Sequence, residues 1–308
     1  MDQMINIVVN VISPIFLVIG VAALVGRALK PDPRTLSTFL VYMFSPALVF
    51  RGFATLDLRA SSVAGIAGVA IAVPLVMMMI GVGITALRPW RPERRSAFIL
   101  CLFMMNAANY GIPLNKFAFG PEAEPLAILY YSVQIIPGNI LGIYFASKGA
   151  VSTKQAILNV LKVPLTYAAA LGILVNPAVG LIVLPVPVMR ATIDIAANAP
   201  IPMMLALLGL KLAETHVKGM LRPVLLATAM RLMVAPLVAL PFAHLFGLTG
   251  LSFKVAIVQS ATPTAALAGA LTTEFGSDSE FTSAVIFVTT LVSVLTLTIL
   301  LSILGTGA

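Results

Sequence analysis

Long apolar runs separated by short polar connections dominate the chain. About 20 consecutive apolar residues are enough to cross a bilayer as a helix. Runs of this kind predict ten membrane spans, with approximate bounds of 4–27, 36–55, 61–87, 96–118, 124–147, 155–176, 184–211, 221–246, 252–273 and 281–304. The connections contain turn residues, such as Gly120-Pro121 after the fourth run. The pattern therefore predicts an all-α polytopic membrane protein with ten transmembrane helices.

Two of these spans are interrupted in the middle. The fourth contains the segment Asn106-Ala-Ala-Asn-Tyr-Gly-Ile-Pro113, and the ninth contains Gln259-Ser-Ala-Thr-Pro-Thr264. Backbone that leaves the helix at bilayer depth is tolerated only where protein buries it or where it lines a cavity. A matched pair of broken spans indicates the substrate site of a secondary transporter. The alternative is that proline and glycine only kink ordinary transmembrane helices, where both are frequent.

The spacing of turn and helix-breaking residues predicts an internal repeat. Pro46 and Pro200 lie half the chain length apart, and Gly120 and Gly276 lie nearly so. The predicted halves are 1–150 and 151–308, with five spans each. Because five is odd, the second half enters the membrane from the opposite side, which is an inverted repeat with one broken crossover helix in each half.

The composition supports a membrane protein. Hydrophobic residues make up 60% of the chain and charged residues 10%, against roughly 45–50% and about 25% in soluble domains. The net charge of +8 does not indicate a nucleic-acid partner, because the basic residues fall between apolar runs. With Cys101 as the single cysteine, no disulfide within the chain and no cysteine-pair metal site is expected. No cofactor motif is present, so we expect no cofactor and no metal.

The basic residues also predict the orientation. Cytoplasmic loops are rich in lysine and arginine. The odd-numbered loops contain most of them, namely Arg27, Lys30, Arg34, Arg88, Arg91, Arg94, Arg95, Lys148, Lys154, Lys211, Lys218 and Arg222. We therefore expect the odd loops in the cytoplasm and both termini outside, in a plasma membrane or, for a bacterium, the inner membrane. The acidic N-terminus lacks a basic leader, so we expect the first span to be retained.

The broken spans supply the candidate substrate site. Asn106 and Asn109 are good caps for freed amides, and Pro113 suits the first turn of a new half-helix, Leu114 to Phe119. In an inverted repeat the two half-helices direct their positive N-terminal ends toward each other, which favours an anion. The predicted binding residues are Asn106, Asn109, Tyr110, Gly111, Ile112, Pro113, Gln259, Ser260, Thr262, Pro263 and Thr264. Tyr110 either stacks on a ligand or faces a neighbouring helix.

Three charged residues inside the spans have competing interpretations. Arg231 lies deep in the eighth span, where it either supports the anion site or bonds structural carbonyls. Asp194 lies one turn after Arg190, which favours an i,i+4 ion pair over a proton site. Arg51 lies near the end of the second span, and we expect its side chain to extend to the membrane surface.

The two breaks resemble those of the auxin efflux carrier family. Asn106 to Leu114 has the pattern Asn-x(4)-Gly-Ile-Pro-Leu and is followed by Lys116 and Gly120, as in the fourth span of that family. Val258-Gln-Ser-Ala-Thr-Pro263 and Ala284-Val-Ile-Phe287 resemble its C-terminal pattern. The fifth and sixth spans are joined by a short loop instead of the long one of plant auxin carriers, which favours a prokaryotic-type member.

The resemblance implies a fold, a substrate class and a mechanism. It implies a bile-acid symporter-like fold that carries organic anions, malate or malonate more than auxin. It also implies an elevator mechanism, in which spans one, two, six and seven form a scaffold and the others carry the substrate. Pro46, Pro200 and Pro202 would shape the scaffold wall, and a homodimer through the scaffold would follow.

Other functions differ in the residues that they require. A sodium- or proton-coupled carrier on the same fold is the main alternative. Carboxylate-based cation exchange is disfavoured, since Asp194 is the only acid near the middle of a predicted span, but sodium held by carbonyls and hydroxyls is not. An intramembrane enzyme is disfavoured because catalytic motifs are missing. A channel is disfavoured because paired broken helices suit an alternately exposed site.

Overall fold

The computed structural model describes residues 2–57, 62–147, 164–179, 181, 187–213 and 220–306. Regular structure within these ranges is helical, apart from one β-bridge between Met105 and Thr264. In chain order the helices are α1 (Met4–Leu29), α2 (Pro33–Thr55), α3 (Ser62–Ala86), α4 (Pro92–Phe103), α5 (Ile112–Phe119), α6 (Ala123–Ala146), α7 (Pro164–Val175), α8 (Val188–Ala213), α9 (Leu221–Leu245), α10 (Gly250–Ser260), α11 (Ala266–Glu274) and α12 (Ser279–Leu304).

This architecture confirms an all-α polytopic membrane protein. Among the described residues, seven helices are long and apolar enough to cross a membrane, namely α1, α2, α3, α6, α8, α9 and α12. The exact number of spans, the inverted repeat and the boundary between residues 150 and 151 stay predictions. Lys148, Lys154, Lys218 and the first residues of the predicted sixth span lie outside the described residues.

In the described part of the chain, four wide turns interrupt the helices, each at the same distance before a proline. They occupy Ile7–Ile12, Leu40–Phe44, Ala107–Gly111 and Met230–Val234, where the backbone forms a π-helix. Each turn ends two residues before a proline, in order Pro14, Pro46, Pro113 and Pro236. Proline has no amide hydrogen and its ring clashes with the preceding turn, so the helix widens there. Two of these turns contain residues of the candidate site, Asn109 and Arg231.

The predicted fourth and ninth spans are both broken. The first half-helix of each, α4 or α10, ends before the break, and the second, α5 or α11, begins after it. In the fourth span the break lies earlier than Pro113 suggests. The backbone is extended at Met104, and the π-turn Ala107–Gly111 then leads directly into α5. The second half-helix therefore starts near Ala107.

The helices pack as two groups. The four-helix group consists of α1, α2, α7 and α8, in which α8 packs along α1 and α7 along α2. The eight-helix group consists of the other described helices, with α3 packed on α4, α6 and α9, and α12 packed on α9 and α11. The groups meet where α2 touches α6, where α8 touches the turn before α5, and where the first part of α1 touches α5 and α12. Both broken helices belong to the eight-helix group.

One expectation about the charged residues is wrong, and another stays a prediction. The guanidinium of Arg51 forms an ion pair with Glu124 in the first turn of α6 at 2.7 Å, while its position at the membrane surface stays a prediction. Asp194 lies 3.9 Å from the same guanidinium, so its ion-pair partner is Arg51 instead of Arg190. Sequence spacing favours a pair within one helix, whereas the packing of α2 against α8 brings Arg51 to Asp194.

Candidate functional site

The two helix breaks cross each other at the middle of the eight-helix group. The amide of Asn106 donates to the carbonyl of Pro263 at 2.8 Å, and the amide of Ala265 donates to the carbonyl of Met104 at 2.8 Å. The two extended segments run antiparallel, with Met105 opposite Thr264. Because each segment leads directly into a helix, the second half-helices begin side by side and extend in opposite directions.

Arg231 binds the ends of the first half-helices from the neighbouring helix α9. Its side chain is fully buried. The guanidinium donates to the carbonyls of Leu102 at 3.0 Å and Thr262 at 2.9 Å, and also to that of Ser260. These carbonyls lie at helix C-termini, where the helix dipole favours a positive charge. The contacts correspond to the structural interpretation of this arginine, and they join the two breaks into one unit.

Threonine hydroxyls complete the same framework. The hydroxyl of Thr264 donates to the carbonyl of Cys101 at 2.9 Å, across to the other broken helix. The hydroxyl of Thr262 donates to the carbonyl of Gln259 at 2.8 Å. Since freed carbonyls at a buried helix end need partners, both threonines act in this conformation on the backbone.

The starts of the second half-helices have no such partners. Neither Asn106, before the turn Ala107–Gly111, nor Ala265, before α11, caps the following amides with its side chain. The side-chain amide nitrogen of Asn106 is buried and has no hydrogen-bond partner among the described residues. The two half-helices therefore begin without a side-chain cap, and the side-chain amide nitrogen of Asn106 has no acceptor.

A cavity of about 120 Å³ lies at these two helix starts. It is lined by Met104, Met105, Asn106, Ala108, Asn109, Tyr131, Gln134, Ile135, Gly138, Asn139, Ala265, Ala266 and Leu267. None of these described lining residues carries a charge. The polar side chains are three asparagines, a glutamine and a tyrosine, and the rest of the wall is apolar or small. Such a wall suits a small molecule with one polar end.

Three polar lining residues, Tyr131, Gln134 and Asn139, are missing from the sequence-based site. All three lie on α6, and Gln134 and Asn139 flank Pro137 and Gly138. Polar residues around a proline in an apolar span are the same signal that identifies the two broken spans. Here the proline does not end the helix, because α6 continues through it. On this span, polar residues around a proline mark part of the cavity wall, although the helix is not broken.

The other predicted binding residues lie around the cavity without lining it. The hydroxyl of Tyr110 accepts from Ser293 at 3.1 Å, and its ring contacts Phe16 edge-on, so this tyrosine faces neighbouring helices. The hydroxyl of Ser260 lies 2.9 Å from that of Tyr130. Ile112 and Pro113 are buried in the first turn of α5, and Pro263 contributes its carbonyl to the crossing.

Gly111 and Gln259 pack directly against each other. A Cβ atom on Gly111 would lie 2.0 Å from Oε1 of Gln259, so only glycine fits. The amide nitrogen of Gln259 donates to the carbonyl of Ala127 at 3.1 Å. Its Oε1 atom and the Oδ1 atom of Asn115 are buried with no hydrogen-bond partner among the described residues.

A second, larger cavity adjoins the first. It has a volume of about 530 Å³ and lies between the two helix groups. Arg34 and Lys211 line it from the four-helix group, and Ala266, Thr273 and Glu274 are among the lining residues of the eight-helix group. Ala266 lines both cavities. We refer to this larger space as the vestibule.

Comparison with known proteins gives two matches. The model of a family described as "Membrane transport protein" matches residues 147–301, which is just over half of the chain. A protein of Methanothermobacter thermautotrophicus, described as an "Uncharacterized transporter", is 24% identical over 275 residues, covering 87% of this chain and 88% of that protein. The second match extends through both broken helices.

Proposed function

The chain belongs to the membrane transport protein family, that of the auxin efflux carriers, and we propose that it carries a small organic anion across the membrane. It is a multi-pass membrane transporter and not an enzyme. The proposal concerns the substrate, its site and the mechanism. The substrate would be a carboxylate such as malate or malonate, or a larger auxin-like acid, bound where the two broken helices cross.

The observation that carries the proposal is the pair of uncapped helix starts at one cavity. The amides after Asn106 and after Ala265 lack side-chain caps, and the amide nitrogen of Asn106 has no partner. Buried helix ends need acceptors from side chains, water or a ligand. All of these groups are donors, so the missing partner is an acceptor.

The charge of the site favours one carboxylate group of the substrate at the crossing. Each helix N-terminus is equivalent to roughly half a positive charge. Two of them compensate one carboxylate without any lysine or arginine, and none of the described lining residues is charged. Asn109, Gln134 and Asn139 would then orient the rest of the substrate by hydrogen bonds, while Met104, Ile135 and Leu267 would contact its apolar part. Arg231 would act indirectly, by holding the crossing together.

The crossing also supports the inverted repeat. The antiparallel segments send α5 and α11 in opposite directions, as two inverted copies would. Both half-helices are followed by a glycine in a left-handed conformation, Gly120 with φ of 87° and Gly276 with φ of 66°. These are the glycines whose spacing predicts the repeat. With α4–α5 and α10–α11 each counted as one broken span, the described helices fit the ten-span arrangement in two halves.

The two helix groups support an elevator mechanism. The four-helix group contains the helices that correspond to spans one, two, six and seven, and the eight-helix group contains the rest. The eight-helix group would move the crossing past the four-helix scaffold. Pro46 and Pro200 begin the second segments of α2 and α8, and together with Pro202 they would shape the scaffold wall. A homodimer through these helices belongs to the same proposal.

A cation-coupled carrier on this fold is the second candidate. It is favoured by the unpaired Oε1 of Gln259 and Oδ1 of Asn115, two buried acceptors on either side of Gly111. Acceptors of this kind suit sodium or a bridging water. If sodium raises the melting temperature only when the anion is also present, the result would favour sodium-coupled transport. Potassium at the same concentration is the control.

A thermal-shift screen of the purified protein tests the proposed function. A ligand that binds only the folded protein raises its apparent stability. Malonate, malate and aromatic monocarboxylates should be compared with their uncharged amides at the same concentrations. We expect at least one carboxylate to raise the melting temperature while its amide does not. Equal effects of acid and amide, or no effect of any carboxylate, would contradict an anion site at the crossing.

A further inference from the structure

An ion pair joins the two helix groups at one end of the molecule. The guanidinium of Arg51, on α2 of the four-helix group, donates to the carboxylate of Glu124, on α6 of the eight-helix group, at 2.7 Å. The Glu124 side chain is only 8% exposed and that of Arg51 20%. Partial burial makes such a charge-assisted contact stronger than an ion pair at an open surface.

Arg51 is also held by its own helix group. The guanidinium donates to Oδ1 of Asn198 at 2.8 Å and to the carbonyl of Ala197 at 3.3 Å, and Asp194 lies 3.9 Å away. All three partners belong to α8, or to its bend, in the four-helix group. If Glu124 moved away, Arg51 would therefore keep hydrogen bonds and a countercharge.

Glu124 has a second partner on its own side as well. Lys116, at the end of α5, forms an ion pair with the other carboxylate oxygen of Glu124. Both residues belong to the eight-helix group. The contact between Arg51 and Glu124 can therefore open without leaving either charge buried and alone, which would be costly. A contact with these properties is suited to repeated breaking and remaking.

The two helix groups touch beside this pair, next to a cavity of about 260 Å³, whereas the larger vestibule of about 530 Å³ separates them at the other end of α2. A Cβ atom on Gly52 would lie 2.7 Å from Cδ1 of Ile128 on α6. Arg34, which lines the vestibule, lies 17 residues before Arg51 on α2, or roughly 25 Å along a helix. The two helix groups thus approach each other more closely at the Arg51 end than at the vestibule end, which is the geometry of one facing state.

We propose that the Arg51–Glu124 ion pair is a latch that holds the two helix groups in this facing state and must open in each transport cycle. The latch rests on the proposed elevator movement. Lys116 and Asn198 retain the two charges while it is open. Removing the latch should shift the population toward the other facing state without changing the anion site, which contains neither residue.

Distance measurements between spin labels test the latch. Labels attached at Val179→Cys, after α7, and Glu122→Cys, before α6, report the separation of the groups near the latch, in a Cys101→Ala background. Both positions are exposed. Glu124→Gln and Arg51→Met should each increase the population of a second distance by roughly tenfold relative to the first, or about 1.4 kcal/mol. The double variant should shift the population no further than either single variant, because each single variant already removes the same ion pair between the groups.

Lys116→Met is the matched control. It removes an ion pair with the same carboxylate, but one that lies within the eight-helix group and that Glu124 keeps while the latch is open, so the population of the second distance should not increase. An unchanged distribution in Glu124→Gln, or an equal shift in Lys116→Met, would overturn the latch. Thermal shifts with malonate and with the other carboxylates of the screen report the anion site separately. A protein that binds none of these carboxylates would contradict the proposed function, whatever the distances between its spin labels.

Discussion

The amide of Asn106 donates to the carbonyl of Pro263 at 2.8 Å, and this bond joins the two broken helices where each has left the helical path. In a membrane interior such extended backbone is tolerated only with partners supplied by the protein. Here each break supplies the partner of the other. As a result the two uncapped helix starts are fixed next to each other, and the candidate site and the crossing are one rigid piece.

The first prediction concerns the asparagines that line the cavity. Asn109→Ala and Asn106→Ala should each weaken carboxylate binding, because a hydrogen bond to a charged group contributes about 1.5–3 kcal/mol. This corresponds to a roughly 10- to 100-fold rise in Kd, measurable by titration calorimetry. Asn10→Ala, an exposed asparagine on α1, is the control. Unchanged affinity in both cavity variants, with folding intact, would rule out this site.

The second prediction concerns Arg231. Arg231→Met should destabilise the protein by about 1–3 kcal/mol for each of the three carbonyls left without a donor, unless water replaces the guanidinium. Arg231→Lys keeps the charge but cannot donate in the same planar geometry, so its melting temperature should be intermediate. Arg190→Met removes an exposed arginine and should have little effect. A melting temperature of Arg231→Met equal to that of Arg190→Met would contradict the structural role.

The third prediction compares two glycines. Gly111→Ala places a methyl group 2.0 Å from Oε1 of Gln259, and Gln259 is held by Ala127. We expect a loss of about 1–3 kcal/mol in stability from this overpacking. Gly83→Ala, in α3, has nothing within 4 Å of the added methyl and should be neutral or stabilising, since alanine favours helix. Thermal unfolding of the two variants gives the comparison, and equal stability would argue against close packing at Gly111.

The fourth prediction tests the orientation derived from the basic loops. In the Cys101→Ala background, a cysteine at Leu87 should react with a membrane-impermeant maleimide only from the cytoplasmic side. A cysteine at Glu122 should react only from outside. Both positions are exposed at helix ends, so reactivity reports the side of the membrane and not burial. The reverse pattern in intact cells would invert the topology.

Much of the fold was predictable because it follows from local chemistry. Pro113 and Pro263 identify both broken helices, since proline removes a donor and clashes with the turn before it. The position of the fourth-span break was less predictable. The sequence places the new half-helix at Leu114, whereas a wide turn carries the helical path back to Ala107. That turn is the π-turn Ala107–Gly111, by which the backbone widens before Pro113, and the sequence does not show whether a helix widens or ends before a proline.

The cavity wall was only partly predictable, because packing between helices decides which polar residues face it. Asn106 and Asn109 line the cavity as expected, but Thr262 and Thr264 bond the backbone instead. Gln134 joins the wall from α6, on a span that contains Pro137 but continues through it as one helix. The ion pair of Arg51 with Glu124 could not be predicted either, since 73 residues separate them and only the packing of α2 on α6 brings them together.

The central claim is that the crossing moves past the four-helix group together with its substrate. Transport by cross-linked protein tests this claim most directly. Gly52→Cys with Ile128→Cys joins the two groups, and Gly26→Cys with Ala213→Cys joins α1 to α8 within one group. The Cβ separations are 3.2 Å and 3.3 Å, close to those of disulfides. Counterflow of the most stabilising carboxylate should be measured in proteoliposomes before and after oxidation. We predict that the first cross-link stops counterflow until it is reduced, while the second leaves it unchanged. Undiminished counterflow with the first cross-link complete would contradict the moving crossing.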